Sequence, residues 1–377
     1  MPEQSTPKDV GEVLVDPRAT ACARRALPLW GLAGASLSFI SARENIVFRV
    51  DVREQNSFAL RIHRPSYHSL AELESENEWT HALGDFGIET PRPVATLQGT
   101  AYAHVPYGSA GLGGASSSRN DILSGDDSCS GDGGSRVVGL IEWVDGEPMW
   151  DVLRRGDTDI SALMTDVGKL IGRMHNQATR WAPSARFTRP ILDADALIGE
   201  YPWWGTFWDL PELSSEQSQM ILAARERLHE SLLAYERRAD NFSMIHSDIL
   251  PQNMLLCDSR PFVFDFDDSG FGWHVYDLAV ALVAFIDEPS LGARARAMIA
   301  GYRSTRSLAE ADFAMLPQLM LARLMVQLGW MNHRVPVALQ ASPTQAIPRA
   351  ELLAPRIARL LAGCQKVMDS AEPIVLL

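Results

Sequence analysis

Alternating apolar and polar positions dominate the stretch from residue 37 to residue 63. It reads SLSFI, NIVFRVDV and SFALRIH, three strands parted by polar turns at 41–44 and 53–57. Residues 65–84 then change period, with Leu70, Leu73, Asn77, Trp79 and Leu83 at mixed helical spacing. GIETPRP at 87–93 is a turn with a rigid exit, followed by a strand around 94–97 and another at 101–105. That order, β-β-β-α-β-β, predicts a small antiparallel sheet with one packed helix. A strand resumes at 137 with VVGLIEWVDG, and beyond 147 the pattern is mostly helical. Apolar residues at 163, 164, 167, 170, 171 and 174 mark an amphipathic helix over 160–177. Further helices are expected at 214–238, 275–286, 292–304, 309–333 and 349–369, and residues 1–20 read as a loose tail.

Between 106 and 136 the composition shifts to Gly, Ser and Asp (GSAGLGGASSSRNDILSGDDSCSGDGGSR), too polar to offset the entropy of ordering. This is read as an inserted loop. With 377 residues, 46% of them hydrophobic, the rest can bury one large or two modest cores. A net charge of −13 without a basic run argues against a nucleic-acid partner and suits a cationic one. Four scattered cysteines, a polar N-terminus and no apolar run of membrane length predict a cytoplasmic chain with no membrane partner. Nothing in the pattern indicates an oligomeric state.

The candidate chemistry lies in MIHSDILPQNMLLCDSRPFVFDFDD, residues 244–268. His246, Asp248 and Asn253 fall as H-x-D-x-x-x-x-N, and Asp265 follows Asn253 by twelve residues at the end of an apolar run. Phosphoryl transfer from a metal-bound nucleotide needs such a set. One carboxylate orients the attacking hydroxyl, while an amide and a second carboxylate hold divalent cations against the phosphates. Each residue alone could be a turn residue or a solvated strand end. All four, set between the apolar runs 254–256 and 262–264, favour a kinase-type catalytic loop.

On IHSDILPQN (245–253), DFDDSGFGWHVYDLA (265–279), FALRIHRP (58–65) and SENEW (75–79), the chain resembles the aminoglycoside phosphotransferase superfamily. That superfamily also holds choline kinases and type II homoserine kinases. The resemblance covers about residues 30–335. It implies an α+β, protein-kinase-like two-lobe fold: a tail at 1–30, an antiparallel-sheet nucleotide lobe at 31–144 carrying the 106–136 insertion, and a helical lobe at 145–377. It also implies ATP and Mg²⁺ as cofactors and a small-molecule hydroxyl as acceptor.

Carried over residue by residue, the resemblance makes Asp248 the catalytic aspartate and Asn253 and Asp265 the metal pair. Asp267 is either a further metal-directed carboxylate or a solvent-facing turn residue. His246 props the loop, and Asp277 caps a helix or accepts from loop amides. Arg61 stands where the family has a phosphate-binding lysine, with Glu76, or alternatively Glu78, as its partner. Arginine keeps the charge there but is longer and flatter. Ser41 and Asn45 flank a phosphate-covering turn that lacks glycine, and Glu142 and Val144 match the adenine-holding hinge. On the acceptor side, YPWWGTFW at 201–208 offers Trp204 and Trp208 as an aromatic wall or as a hydrophobic plug. Trp273 and His274 could border the pocket, and Arg323 and Trp330 are candidates to face inward from LMLARLMVQLGWMNHR. A Ser/Thr protein kinase and a nucleotide-binding pseudokinase remain open alternatives, the latter because of Arg61 and the glycine-free turn.

Overall fold

The computed structural model describes residues 16–42, 45–52, 56–108, 134–156, 158–340 and 348–369. These fall into two compact units, the first from the described parts of 1–70 and 92–143, the second from those of 71–91, 144–339 and 348–369.

The first unit begins with helix α1 (Pro17–Ala26), where a tail was expected. Asp16 caps it by accepting from the Arg18 amide at 2.9 Å, and Pro17 presets the first helical φ. Ala19, Cys22, Ala23 and Ala26 recur at helical spacing and are all buried. Five antiparallel strands follow: β1 (Ser36–Ala42), β2 (Ile46–Asp51), β3 (Ser57–Ile62), β4 (Tyr102–Pro106) and β5 (Ser135–Glu142), in the spatial order β1-β2-β3-β5-β4. Phe48, Val50, Leu60, Ile62, Val105, Val138 and Leu140 alternate inward and meet the α1 stripe. The strand expected around 94–97 does not form. An isolated bridge, Pro93 to Ile141, ties that segment to the sheet through the Val94 amide on Leu140 O and the Glu142 amide on Arg92 O, each at 2.8 Å. Prolines at 91 and 93 have no N–H to donate to a ladder. Most of the inserted loop, 109–133, lies outside the described residues.

The second unit opens with α2 (Leu70–Asp85), five residues later than its predicted start; Ser66 at φ +56° turns the chain first. Trp79 and Leu83 of α2 join this unit's core, and Trp79 Nε1 donates to Gln177 Oε1 at 3.0 Å. After β6 (Glu147–Pro148) and α3 (Met149–Arg155) come α4 (Ile160–Ala178), β7 (Ile191–Leu192), α5 (Ala194–Ile198) and α6 (Ser215–Ala234). The last is closed by a reciprocal Ser214–Gln217 capping box. Next are β8 (Phe242–Ile245), β9 (Met254–Cys257), β10 (Arg260–Val263), β11 (Gly270–Trp273), α7 (His274–Val283), α8 (Leu291–Thr305), α9 (Glu310–Ala314), α10 (Leu316–Gln340) and α11 (Arg349–Asp369). The strands form two small sheets, β10-β9-β6 and β7-β11-β8. Every residue of α7 is buried, so its helix is apolar all round apart from three polar groups that serve the site. Helices α4 and α8 cross at glycines: a Cβ on Gly168 would stand 1.9 Å from Met298 O, and one on Gly301 1.9 Å from Thr165 O. No described helix is long and apolar enough to cross a membrane.

Candidate active site

A tight hairpin closes the twelve-residue gap between Asn253 and Asp265. Cys257 pairs with Arg260, and the two residues between, Asp258 and Ser259, take φ values of +47° and +62°, as a type I′ turn requires. The ladder then aligns Met254 with Val263, and the Phe264 amide donates to Asn253 O at 3.0 Å. Asn253 and Asp265 therefore leave the same end of the hairpin. Asp265 sits at φ +65°, a left-handed conformation that turns it out of the strand direction.

Asp248 arrives by a different route, on the loop that leaves β8. Ser247 is held at φ +64° because Asp277 of α7 accepts two successive amides, His246 N at 3.0 Å and Ser247 N at 2.7 Å. His246 braces the same loop. Its Nδ1 accepts from the Asp248 amide at 3.2 Å and its Nε2 faces Phe264 O at 3.1 Å, which assigns the proton to Nε2. Burial holds the His246 pKa below the ordinary value, against the pull of Asp277 and Asp248, in keeping with that neutral form. Asn253 Nδ2 then donates both to Asp248 O at 2.9 Å and to Asp248 Oδ2 at 2.6 Å, while Arg323 of α10 contacts Asp248 Oδ1.

Behind the loop, Asp277 is fully buried, and burial lifts its pKa to about 6 even though His246 and the two amides favour the carboxylate. His175 Nε2 lies 3.1 Å from Asp277 Oδ2, with its Nδ1 3.0 Å from the Tyr302 hydroxyl and its ring stacked on His274 at 4.4 Å. Burial, then Arg306, holds His175 well below the usual imidazole range, so it serves Asp277 as a neutral donor. The turn after Asp265 has its own clamp. Buried Arg189 donates to Ser269 O at 2.7 Å, Phe266 O at 3.3 Å, Asp267 O, and Glu72 O at 3.2 Å.

The sequence pattern of the phosphotransferase enzyme family matches residues 36–313, about three quarters of the chain. The chain belongs to the phosphotransferase enzyme family. It is therefore a transferase of the kinase class, with an alcohol group as acceptor. It is 21% identical to the amicoumacin kinase of Bacillus subtilis (strain 168) over 276 residues, 73% of this chain and 70% of that protein. Among solved structures, a microcompartment-associated aminopropanol kinase matches with a TM-score of 0.71 at 25% identity, covering 93% of this chain and 96% of that one. An amicoumacin kinase in complex with AMP-PNP, Ca²⁺ and Ami matches with a TM-score of 0.67 at 18% identity, covering 96% and 99%. The fold is the α+β kinase-like fold of these neighbours.

In this phosphotransferase, no three described His, Cys, Asp or Glu side chains converge to hold an ion by themselves. What the site offers is hard oxygen: the Asp265 carboxylate and the Asn253 carbonyl oxygen, left over because Nδ2 is spent on Asp248. That donor set fits a cation such as Mg²⁺, which completes its shell with water and substrate phosphates rather than an all-protein cage. Asp267 is 3% exposed, so it is not the solvent-facing turn residue that was one of its two readings.

The remaining expected residues divide between the units. In the first, Arg61 is half-buried on β3 opposite Val47 and Gly139, Ser41 is the last residue but one of β1 beside a bulge, Asn45 is buried, and Glu142 ends β5. In the second, Val144 is half-buried and Glu76 is buried on α2. Glu78 accepts from Ser184 through its amide and hydroxyl, 2.7 Å each. Trp273 and His274 do not border a pocket. Trp273 is buried against Tyr235 and Phe242, and His274 is buried with Ser243 Oγ 2.7 Å from its Nε2.

Trp204 is core, and Trp208 is half-buried beneath Arg225. Tyr201 and Trp203 flank an acidic depression of about 500 Å³ with Asp193, Asp195 and Glu200. Strand β7 runs parallel to β11 and exits at the Trp273 end, whereas the catalytic loop leaves the opposite end, where Ile245 pairs with Gly270. Arg189, His175 and the left-handed Ser247 were not foreseen, and no local pattern marks the two side chains as supports of residues 77 to 102 positions downstream.

Proposed function

We propose that the protein is an ATP- and Mg²⁺-dependent kinase that moves the γ-phosphoryl group to a hydroxyl of a small molecule such as an amino alcohol, an amino acid or an aminoglycoside. One observation carries the reading: Asn253 bridges the two halves of the chemistry, its Nδ2 on the Asp248 carboxylate and its remaining oxygen available to a cation. Asp248 accepts the hydrogen bond of the incoming hydroxyl, aligns its oxygen with the phosphorus, and receives its proton as the new P–O bond forms and the bond from the γ-phosphorus to the β,γ-bridging oxygen breaks, releasing ADP. Asn253 and Asp265, with Asp267 beside them, hold Mg²⁺, which when bound neutralises the phosphate charge. Arg61 takes the nucleotide phosphates in place of the usual lysine; Ser41 and Asn45 cover them. The backbone at Glu142 and Val144 holds the adenine edge.

A small acceptor is favoured because the chain passes from Asp265 through a short turn and β11 directly into α7, leaving no segment to dock a peptide. The names of the amicoumacin and aminopropanol kinases point the same way, and a net charge of −13 suits an amine-bearing acceptor. The test is Mg²⁺-dependent ADP release across amino alcohols, hydroxy amino acids, aminoglycosides and a protein acceptor, in wild type and Asp248→Ala. Release driven by one small-molecule class and lost in the variant is expected. Turnover that survives Asp248→Ala, or phosphate landing only on protein, would sink the assignment.

A further inference from the structure

Helix α10 carries one guanidinium inside an apolar stretch. Leu319, Met320, Leu321, Ala322, Leu324, Met325 and Val326 surround Arg323 in sequence and are buried, and Arg323 is itself only 6% exposed. A buried ion pair adds little net stability over apolar residues of the same volume, so core packing alone does not account for an arginine here. Its guanidinium meets Asp248 Oδ1 on one side, while Asn253 Nδ2 holds Asp248 Oδ2 at 2.6 Å on the other. With both oxygens engaged, rotation of the carboxylate about its last bond is stopped. The buried Tyr276 hydroxyl neighbours the same guanidinium, whose Nη2 is the atom that meets Asp248. Asp248 and Asp268 stabilise the guanidinium charge against its burial.

We infer that Arg323 is a positioning residue for phosphoryl transfer: it fixes the plane of the Asp248 carboxylate, and with it the direction of the lone pairs left for the acceptor hydroxyl. The inference rests on reading Asp248 as the residue that orients that hydroxyl. A misplacement of about 1 Å in such a group costs on the order of 100-fold in rate, and that is the loss expected on removing the brace.

The test compares wild type, Arg323→Met, Arg323→Lys and Arg323→Ala with the acceptor that gives turnover. Arg323→Met should lower kcat about 100-fold with the nucleotide KM unchanged. Arg323→Lys should recover part of the loss, and free guanidinium ion at sub-denaturing concentration should raise kcat of Arg323→Ala. A merely structural role moves neither of the last two readouts. Crystal structures of wild type and Arg323→Met supply a measure independent of turnover, in which the Asp248 carboxylate should rotate away from its wild-type orientation. A folded Arg323→Met enzyme with wild-type kcat, or with Asp248 unmoved, overturns the inference. If wild type phosphorylates no acceptor, the proposed function fails, and the crystal comparison still decides the role of Arg323.

Discussion

Replacing Gly301 by alanine reverses the usual sign of that substitution. In an exposed helix interior, Gly→Ala stabilises by about 1 kcal/mol because alanine loses less conformational entropy. At Gly301 the new Cβ would stand 1.9 Å from the backbone oxygen of Thr165 on α4. A carbon and a carbonyl oxygen rest at about 3.3 Å, so helices α4 and α8 would have to separate by about 1.4 Å. A gap of about 1 Å already forfeits up to half of each dispersion contact, and overpacking of this kind costs about 1–3 kcal/mol. The net expectation is a loss of about 2 kcal/mol. Gly292→Ala on the same helix meets only the far end of the Arg296 side chain and should be neutral or stabilising. Urea unfolding of the two variants in one buffer reads the contrast. Turnover of Gly301→Ala should fall as well, because α4 carries His175 and α8 carries Tyr302, both in the chain of contacts that ends at Asp277. A Gly301→Ala protein as stable as wild type would refute the reasoning, since neither helix backbone could then be where its neighbour's carbonyl requires it.

Acidification should weaken the fold. Burial holds His175, His246 and His274 below the ordinary imidazole value of 6.5, so their contribution is present above that pH and lost as pH falls below it. Asp277, raised to about 6, works in the opposite sense, favouring the fold as pH drops from about 6 toward 4, but it is one group against three. The urea midpoint should therefore fall between pH 7 and pH 5.5, and a rise would contradict the neutral-histidine description. Arg189→Met leaves buried carbonyls at 266–269 without their donor; a stability loss of about 3 kcal/mol with impaired turnover is expected by urea melt and ADP release, and an unchanged melt would dismiss the clamp. Asp265→Gly should stabilise by about 1 kcal/mol, since glycine adopts φ +65° without strain, while abolishing transfer; an active Asp265→Gly enzyme would free Asp265 of any metal role.

What could be read from the sequence was what is local. The spacing of His246, Asp248, Asn253 and Asp265 survives folding because a two-residue turn closes the one hairpin between the last two. Helices α4 and α11 were visible through large apolar residues at regular intervals. Helix α1 has the same periodicity in Ala and Cys, a stripe too small to register as a core face, although Asp16-Pro17 is a start signal. Strand β11 was not among the expected elements, since GFGW is short and half glycine. Those glycines admit close neighbours: a Cβ on Gly270 would stand 2.6 Å from Pro190 O, and one on Gly272 2.4 Å from Ile245 Cδ1. Trp273 and His274 were misjudged because proximity in sequence to Asp265 says nothing about which side of a sheet a residue faces. Arg189 and Arg323 reach the loop from distant helices and turns, and one chain carries no periodic trace of such a meeting.

The pairing of Arg323 with Asp248 spans 75 residues, and Arg323 lies beyond residue 313, where the family match ends. On a ribosome adding roughly 5–20 residues per second, the loop's carboxylate emerges about 4–15 s before its counter-charge. The motif that identifies the enzyme is therefore complete well before the device that aims it. A fragment cut at residue 313, where the family match ends, would retain every diagnostic residue and lack the guanidinium.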